Sequence, residues 1–521
     1  MTLCVVALLS QCALALAQSV RVHVCNADTT GNLIPKEIYG QFSEHLGRCI
    51  YDGIWVGPES DITNIGGYRT DVLEALKAIR VPVLRWPGGC FADDYHWMDG
   101  IGPRESRTLI SNNNWGGTME DNSFGTHEFL DYCELLGCQP YISGNVGSGT
   151  ASELAKWVEY ITSDSGSTVA QMRRSNGREK PWDLKYLGIG NEAWGCGGNM
   201  RPEYYSDLFR RYTTYTRDYN RAHGLYKVAS GGSGDDYNWT EVCMREIGTR
   251  MNAIAVHYYT VLSWSNKGAA TSFSRDDYYR TLSCALDIES ILLKHMEIMD
   301  KYDPEGRVDL FVDEWGTWWD VEPGTNPGHL FQQNTMRDAL VAALSFNVFH
   351  KYTSRIKMCN IAQVVNVLQS MVLTRGDQMV LTPTYHVFDM YKCHQDARFV
   401  PVEYDAQQIP GTGGRAVPNL SVTASGRDGS VWVSLVNPSL DKECRVDLSW
   451  DDFASYTVAG ARVLAAENIT DYNDFEGDGA QAGASCRVSP RSFMPARKMG
   501  GSGVMLRLPA ASVVTLELKA L

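Results

Sequence analysis

Two glutamates, Glu192 and Glu314, each stand directly after a short apolar stretch that is typical of a β-strand. A side chain at such a position is held on a rigid strand end and can face a pocket. Paired carboxylates carry out glycoside hydrolysis: one protonates the leaving oxygen, and the other attacks the anomeric carbon or activates water. Each glutamate would alternatively form a structural salt bridge, and position alone leaves both interpretations open. Asn191, next to Glu192, carries an amide that can hydrogen-bond a sugar 2-hydroxyl.

Short apolar strand patterns alternate with longer helical patterns up to about residue 392. In the segment 71–80, for example, Val72, Leu76 and Ile79 recur on one helical face. Such alternation predicts an α/β fold, a (β/α)8 TIM barrel, over residues 37–392. An open doubly wound sheet is the alternative, but the Gly-rich phosphate loop usual after its first strand is absent, which favours the barrel. The eight predicted strands are 37–42, 81–86, 139–145, 185–191, 226–231, 253–259, 308–315 and 356–365.

Polar side chains follow most of these strands. In a TIM barrel the carboxyl ends of all eight strands meet on one rim, where active sites form. We therefore expect the residues at these ends to converge on a single pocket. They are Glu44 after the first strand, Arg85 and Cys90 at the second, Asn191 and Glu192 at the fourth, His257 and Tyr259 at the sixth, Glu314 at the seventh and Gln363 at the eighth.

The pattern changes after residue 392. The segments 430–436 and 503–508 alternate apolar and polar residues with period two, and 512–518 is a further strand candidate. Turn residues separate these segments, so residues 393–521 are predicted to form an antiparallel β-sandwich. The segment 20–24 also alternates, and residues 18–36 are predicted to supply a strand to the same sandwich.

The first 17 residues are apolar and end in Ala15-Leu16-Ala17, which is typical of a signal peptide, although a basic n-region is absent. They predict a secreted protein, extracellular or periplasmic. A membrane anchor needs about 20 consecutive apolar residues, and no stretch of that length follows. The sequence therefore predicts no membrane anchor.

The chain has 521 residues and a net charge of −14, and only 21% of its residues are charged. An acidic chain repels a phosphate backbone, so a nucleic-acid partner is excluded. The 14 Trp and 26 Tyr suit a sugar-binding cleft and equally suit an ordinary core. No Cys-x-x-Cys pair occurs, which argues against a zinc ribbon or a thioredoxin-like site.

Several motifs together give a specific resemblance. They include Arg-Trp-Pro-Gly-Gly in the second strand region, Gly-Asn-Glu in the fourth and Val-Asp-Glu-Trp in the seventh. The chain resembles glycoside hydrolase family 51, the α-L-arabinofuranosidases of the large retaining clan. The matching stretches follow the family's order and span the barrel: 38–57, 84–91, 95–103, 188–192 and 312–315.

The resemblance implies a barrel with a C-terminal β-sandwich, with Glu192 as acid/base and Glu314 as nucleophile. It implies action on arabinose-containing polysaccharides and oligosaccharides without a cofactor or metal, and it is compatible with a homo-oligomer. In a retaining enzyme the two carboxyl groups are about 5–5.5 Å apart. The residues implied to shape the arabinose pocket are Glu44, Arg85, Cys90, Asn191, His257, Tyr259 and Gln363.

Two features of the chain depart from the family pattern. Many members have Asn where this chain has Cys90, and a thiol packs against a sugar but hydrogen-bonds weakly. The segment 193–199 also differs and is expected to shape the leaving-group side. For the tryptophans near these motifs, sugar stacking and core packing both remain open: Trp55, Trp97, Trp194 and Trp315.

The sequence gives less support to other functions. A metal hydrolase would need clustered ligands, yet His45, His96, His127 and His257 are far apart and no His-Glu-x-x-His motif occurs. A non-catalytic sugar-binding protein would not need both carboxylates. The main rival is an endo-β-1,4-glucanase or β-xylosidase of the same family, because such enzymes share the strand-end chemistry and differ in their loops.

Overall fold

The structure, a computed structural model, describes residues 19–25, 31–219, 223–411, 415–451, 456–476, 488–495, 497–499 and 503–520. The predicted signal peptide, residues 1–17, lies outside these ranges. Within them, none of the helices combines the length and the apolar character needed to cross a bilayer.

Eight parallel strands close into a barrel in chain order, each paired with the strands before and after it. This confirms the predicted TIM barrel over the open doubly wound sheet. The barrel strands are Gly40–Phe42, Val83–Trp86, Gln139–Gly144, Tyr186–Ile189, Tyr226–Ala229, Ala253–Thr260, Asp309–Thr317 and Ile356–Ala362. Most are shorter than predicted: the first two begin later in the chain, and the third, fourth, fifth and eighth end earlier.

The first strand differs from the sequence prediction at its beginning. Residues Lys36–Tyr39 form a 3-10 turn, and extended pairing begins only at Gly40. Ile38 and Tyr39 are both buried although they are neighbours in the chain. A short run with consecutive buried residues does not distinguish a strand from a tight turn by periodicity.

Nine α-helices surround the barrel or cap its ends within the described residues. The predicted helix 71–80 is observed at Thr70–Ala78, with Val72, Leu73 and Leu76 buried. The helix Ala151–Thr162 begins at Thr150, whose hydroxyl accepts a hydrogen bond from the Glu153 N–H. The remaining helices are Thr126–Leu136, Thr168–Ser175, Pro202–Tyr215, Tyr237–Glu246, Arg275–Tyr302, Met336–Lys351 and Pro383–Tyr391.

The C-terminal region forms two large β-sheets and a two-stranded one, Gln408–Pro410 with Ala416–Pro418. One sheet has the order Val402–Tyr404, Val20–Val24, Cys444–Trp450, Gly503–Leu508, Arg497–Met499. The other has the order Arg398–Val400, Ser421–Arg427, Ser430–Asn437, Ser512–Ala520, Tyr456–Leu464, Arg491–Ser492. The strand Val20–Val24 pairs in parallel with Cys444–Trp450, and the other pairs are antiparallel. Apolar side chains facing each other between the sheets form a core separate from that of the barrel.

The sheets pack against the barrel through the helix Met336–Lys351. His350 Nδ1 lies 3.1 Å from Thr423 Oγ1, and Asn347 Nδ2 donates to Ser421 Oγ at 3.0 Å. All four side chains are buried. The described chain therefore continues from barrel to sheets across a packed polar and apolar interface.

Candidate active site

The pairing of the sixth and seventh barrel strands brings His257 and Glu314 side by side. Val256 pairs with Val312, but the next pair is His257 with Glu314, so Asp313 is an extra residue on the seventh strand. Such a β-bulge redirects the side chains that follow it. Asp313 instead accepts hydrogen bonds from Tyr141 Oη at 2.6 Å and from Asn360 Nδ2 at 3.2 Å.

The two glutamates predicted from the sequence meet across His257. His257 Nδ1 lies 2.9 Å from Glu192 Oε1 and 3.5 Å from Glu314 Oε2. One carboxylate oxygen of Glu192 and one of Glu314 lie within 4.8 Å of each other. This close approach is compatible with the separation of about 5–5.5 Å between the carboxyl groups of retaining glycosidases.

Backbone geometry directs Glu192 toward this meeting point. The fourth strand ends at Ile189, and the chain turns through Gly190 and Glu192, with φ angles of 84° and 40°. A non-glycine residue in the left-handed region is uncommon and is often found at functional sites. The side chain of Glu192 stays 18% exposed, while that of Glu314 is 7% exposed. The two carboxylates therefore differ in their access to solvent.

Glu314 is held as an anion. Arg85 Nη1 donates to Oε1 at 2.9 Å, and the Tyr259 hydroxyl donates to Oε2 at 2.7 Å. Burial by itself raises the pKa of Glu314, but the charges of His257 and Arg85 and these hydrogen bonds hold it below the usual value. Burial by itself lowers the pKa of His257. The negative charges of Glu314 and Glu192 and the hydrogen bond to Glu192 have the larger, opposite effect, so the pKa lies above its usual value.

Arg85 also orients the residue before Glu192. Arg85 Nη2 donates to Asn191 Oδ1 at 2.5 Å, and Arg85 Nε donates to Ser143 Oγ at 3.2 Å. This buried arginine of the second strand thus contacts residues of the third and seventh strands and the end of the fourth. The amide nitrogen of Asn191 stays directed at the pocket, 3.5 Å from where a Cβ at position 89 would stand.

Glu44 and Gln363 form the opposite wall. Gln363 Nε2 donates to Glu44 Oε2 at 3.0 Å, while Oε1 of Glu44 accepts from the N–H groups of Gly89 and Phe91 at 3.0 and 3.1 Å. Burial, reinforced by the charge of Glu314, raises the pKa of Glu44 to about 7. Gly89 is required by close approach, because a Cβ there would lie 3.0 Å from Glu314 Oε1.

Two buried polar atoms in this pocket have no hydrogen-bond partner among the described residues. They are the donor Asn191 Nδ2 and the acceptor Gln363 Oε1. A buried polar atom without a partner is costly, and it is tolerated where a ligand supplies the missing bond. An unpaired donor and an unpaired acceptor suit the hydroxyl groups of a sugar.

Cys90 differs from the expectation of a free thiol beside the sugar. It forms a disulfide with Cys196, 106 residues further along the chain. The sulfur of Cys90 therefore has no proton to donate. Cys196 Sγ lies 3.7 Å from Glu192 Oε2, but it has no proton either and cannot donate a hydrogen bond to that oxygen. The segment 193–199 is thus covalently tied to the loop after the second strand.

Sequence analysis did not identify Asp93 as part of the site. Its buried carboxylate accepts the N–H of Asn191 at 2.7 Å on Oδ2 and the N–H groups of Val146 and Gly147 at 2.7 and 2.9 Å on Oδ1. Burial raises the pKa of Asp93 to about 7, although the hydrogen bonds from these N–H groups act to lower it. The only available signal was an acidic residue shortly after the second strand, and many surface residues share that feature.

The structure distinguishes core packing from sugar stacking for the tryptophans left open by the sequence. Trp55, Trp97 and Trp315 are at most 3% exposed and belong to the core, and Trp194 is half-buried. Instead Trp115 Nε1 donates to Glu44 Oε1 at 2.8 Å. The ring of Trp318 packs edge-on against Tyr259, with 5.0 Å between centroids. Both tryptophans lie in loops, where periodicity carries no information.

The histidines considered as metal ligands are dispersed. His45 accepts from Trp86 Nε1, His96 contacts Glu153 and His127 contacts Tyr160. Only His257 lies at the carboxylate pair. A site built on several histidines is therefore not formed by these four residues.

Comparison with known proteins places the chain in a family. A family model described as the α-L-arabinofuranosidase 1 domain matches residues 75–277, and one described as the α-L-arabinofuranosidase C-terminal domain matches residues 313–512. An intracellular exo-α-L-arabinofuranosidase of Bacteroides ovatus is 57% identical over 96% of this chain and 96% of its own. The chain belongs to the α-L-arabinofuranosidases of glycoside hydrolase family 51.

Solved structures agree with this family 51 assignment. The family 51 arabinofuranosidase of Xanthomonas axonopodis pv. citri is 46% identical and covers 96% of this chain and 100% of its own, with a TM-score of 0.92. The arabinose complex of the Thermotoga maritima α-L-arabinofuranosidase is 27% identical with the same coverage and a TM-score of 0.83. These likenesses span the barrel and the C-terminal sheets together.

The predicted secretion of this family 51 chain is wrong. Its relative of 57% identity is named as intracellular, which contradicts an extracellular or periplasmic location. Residues 1–17 have the apolar length of a secretory segment and a small-residue end but no basic n-region. Apolar composition alone does not specify export.

Proposed function

We propose that this family 51 arabinofuranosidase acts from chain ends, releasing terminal α-L-arabinofuranosyl residues from arabinoxylan- or arabinan-type polysaccharides and their oligosaccharides with retention of configuration. The observation that carries the proposal is the pair of carboxylates, Glu192 and Glu314, with oxygens within 4.8 Å of each other around His257. The relative named as exo-acting supports action at chain ends.

In the first step Glu314 attacks the anomeric carbon, and Glu192 gives its proton to the departing oxygen. The bond to the leaving sugar breaks, and a covalent glycosyl-enzyme forms. Glu314 is suited to attack because Arg85 and Tyr259 keep it ionised and hold its two oxygens in fixed directions. The greater exposure of Glu192 supports a role on the leaving-group side.

In the second step Glu192, now ionised, takes a proton from water, and the resulting hydroxide displaces Glu314. Two inversions at the anomeric carbon give overall retention. The free donor of Asn191 and the free acceptor of Gln363 would bind sugar hydroxyls through both steps. Hydrogen bonds that strengthen as the sugar ring distorts lower the barrier further.

The test is a substrate panel with product analysis. Purified protein is assayed on nitrophenyl α-L-arabinofuranoside, β-D-xyloside and β-D-glucoside, then on arabinoxylan, arabinan and cellulose. We expect the arabinofuranoside to be turned over faster than the β-D-xyloside and the β-D-glucoside. We also expect the polysaccharides to release monomeric arabinose. Fast loss of cellulose viscosity or preference for the xyloside would overturn the proposal in favour of the glucanase or xylosidase reading.

A further inference from the structure

The disulfide Cys90–Cys196 lies against the acid/base carboxylate. The sulfur of Cys90, the sulfur of Cys196 and a carboxylate oxygen of Glu192 all lie within 4.8 Å of one another. Cys196 is exposed, and Cys90 and Glu192 are half-buried. An exposed disulfide can be reached by a thiol reductant, whereas a buried structural disulfide is protected.

Reduction of this bond leaves two thiols on either side of a carboxylate. Two molecules of a thiol, or one dithiol, supply two electrons and two protons, become a disulfide themselves, and leave Cys90 and Cys196 as thiols. The arrangement then has two sulfur ligands and one oxygen ligand facing a common point. Zn²⁺ prefers tetrahedral coordination by such ligands, with bonds of about 2.3 Å to sulfur and about 2.0–2.2 Å to oxygen.

The distance between the sulfur of Cys196 and the carboxylate of Glu192 suits that geometry. Tetrahedral Zn²⁺ with those bond lengths separates a sulfur from an oxygen ligand by about 3.5 Å, and Cys196 Sγ lies 3.7 Å from Glu192 Oε2. The other oxygen of Glu192 faces His257 Nδ1 at 2.9 Å. A histidine that hydrogen-bonds a ligating carboxylate fixes its orientation. A fourth position is open to solvent beside Cys196.

We infer that Cys90, Cys196 and Glu192 form, once the disulfide is reduced, a binding site for a thiophilic divalent cation such as Zn²⁺, and that the bound ion stops turnover. The ion displaces the two thiol protons and occupies the oxygen that would otherwise protonate the leaving group. The disulfide therefore protects the acid/base from metal capture. The inference goes beyond the proposed function, because it concerns ion binding that can be measured without substrate.

The test uses Co²⁺ as a spectroscopic probe on the full chain, with and without phosphine reduction followed by removal of the reductant under nitrogen. We expect the reduced protein to take up one equivalent of Co²⁺ with the absorption of a tetrahedral thiolate site. The oxidised protein should lack this signal. The oxidised protein also measures how much Co²⁺ the other cysteines bind, because the structure shows nine free cysteines in the described ranges.

Two variants locate the signal. Cys196→Ser should lose it after reduction, while Cys284→Ser should keep it, because Cys284 is a half-buried thiol beside Arg415 and outside the site. Thermal unfolding of each variant checks that the fold is retained. A signal that persists in folded Cys196→Ser would overturn the inference.

Activity gives the second readout. One equivalent of Zn²⁺ should lower kcat of the reduced protein on arabinan by about 100-fold, the contribution of general acid–base catalysis, and a chelator should restore it. The oxidised protein should keep its activity at the same Zn²⁺ concentration. Equal inhibition of both forms would show that the ion binds to Glu192, His257 and Glu314 and does not need the sulfurs. That result would also overturn the inference.

Discussion

Arg85 and Glu314, 229 residues apart in the chain, form a buried ion pair with Nη1 2.9 Å from Oε1. The same guanidinium reaches Asn191 through Nη2. One charged guanidinium therefore holds Glu314 directly and the end of the fourth strand, next to Glu192, through Asn191. Such a planar donor fixes direction as well as charge, which is what an attacking carboxylate and its acid partner require.

Glu192→Ala should separate substrates by their leaving groups. Aryl arabinofuranosides with acidic phenols need little protonation, so their turnover should fall modestly. Arabinan and alkyl arabinofuranosides should lose about 10²–10⁴-fold in kcat/KM, the range expected for a lost general acid. Kinetics on a series of substituted phenyl arabinofuranosides measures the dependence.

The control for this series is Glu203→Ala, an acidic residue in the first turn of the helix Pro202–Tyr215. It should leave the dependence on leaving group unchanged. Equal losses of Glu192→Ala on activated and unactivated substrates would argue against the acid role.

Glu314→Gln should abolish turnover of every substrate while arabinose still binds. The amide keeps the shape of the side chain but is not a nucleophile, and no glycosyl-enzyme can form. Rapid-quench mass spectrometry of the wild type with a slow substrate should show the covalent adduct on the peptide that contains Glu314. Substantial residual activity of the variant, beyond traces of deamidated enzyme, would contradict the nucleophile assignment.

Tyr259→Phe should shift the acid limb of the activity profile to higher pH. The hydroxyl donates to Glu314 and favours its ionised form, so its loss raises the pKa of Glu314 from its present value below the usual range. A hydrogen bond to a charged group contributes about 1.5–3 kcal/mol, and one pKa unit corresponds to about 1.4 kcal/mol, so we expect a shift of about one to two units. At acidic pH less Glu314 is ionised, and kcat falls there first.

Tyr258→Phe is the matched control, because Tyr258 is the neighbouring residue and its hydroxyl bonds to the carbonyl of Cys284. Its acid limb should match that of the wild type. An unchanged acid limb in Tyr259→Phe would refute the role of the hydroxyl.

Asp93→Asn should lower kcat more than it alters KM. The carboxylate accepts three N–H groups, and an amide presents donors to at least one of them, which loosens the turn that carries Asn191 and Glu192. A buried donor left without a partner costs about 1–3 kcal/mol, so the variant should also unfold more easily. Asp94→Asn, exposed and adjacent, should change neither quantity. A loss confined to KM would contradict this positioning role.

Stability should depend on pH through Asp93. The folded state raises its pKa to about 7, above its usual value of 3.8, so the folded protein binds the proton more tightly than the unfolded chain. Stability from this group is greatest below pH 4 and is lost as the pH rises through 7. The wild type should therefore lose stability relative to Asp93→Asn between pH 5 and pH 8, measured by urea unfolding at each pH. A difference independent of pH would contradict the raised pKa.

The sequence by itself determined the architecture and the two principal carboxylates. Strand and helix periodicities depend on which side chains face the core, and they are local enough to read along the chain. Glu192 and Glu314 could be chosen because a barrel places all strand ends on one rim. The family motifs then named the pocket residues, and the structure brings these residues together.

Only the tertiary structure decided how these groups contact each other. The extra residue Asp313 appears only when the seventh strand is paired with the sixth, because register depends on the partner strand. The Cys90–Cys196 disulfide and the contact of Asp93 with Asn191 each join residues about 100 positions apart. Such contacts depend on how the rim loops pack in three dimensions, and no local pattern in the chain records that packing.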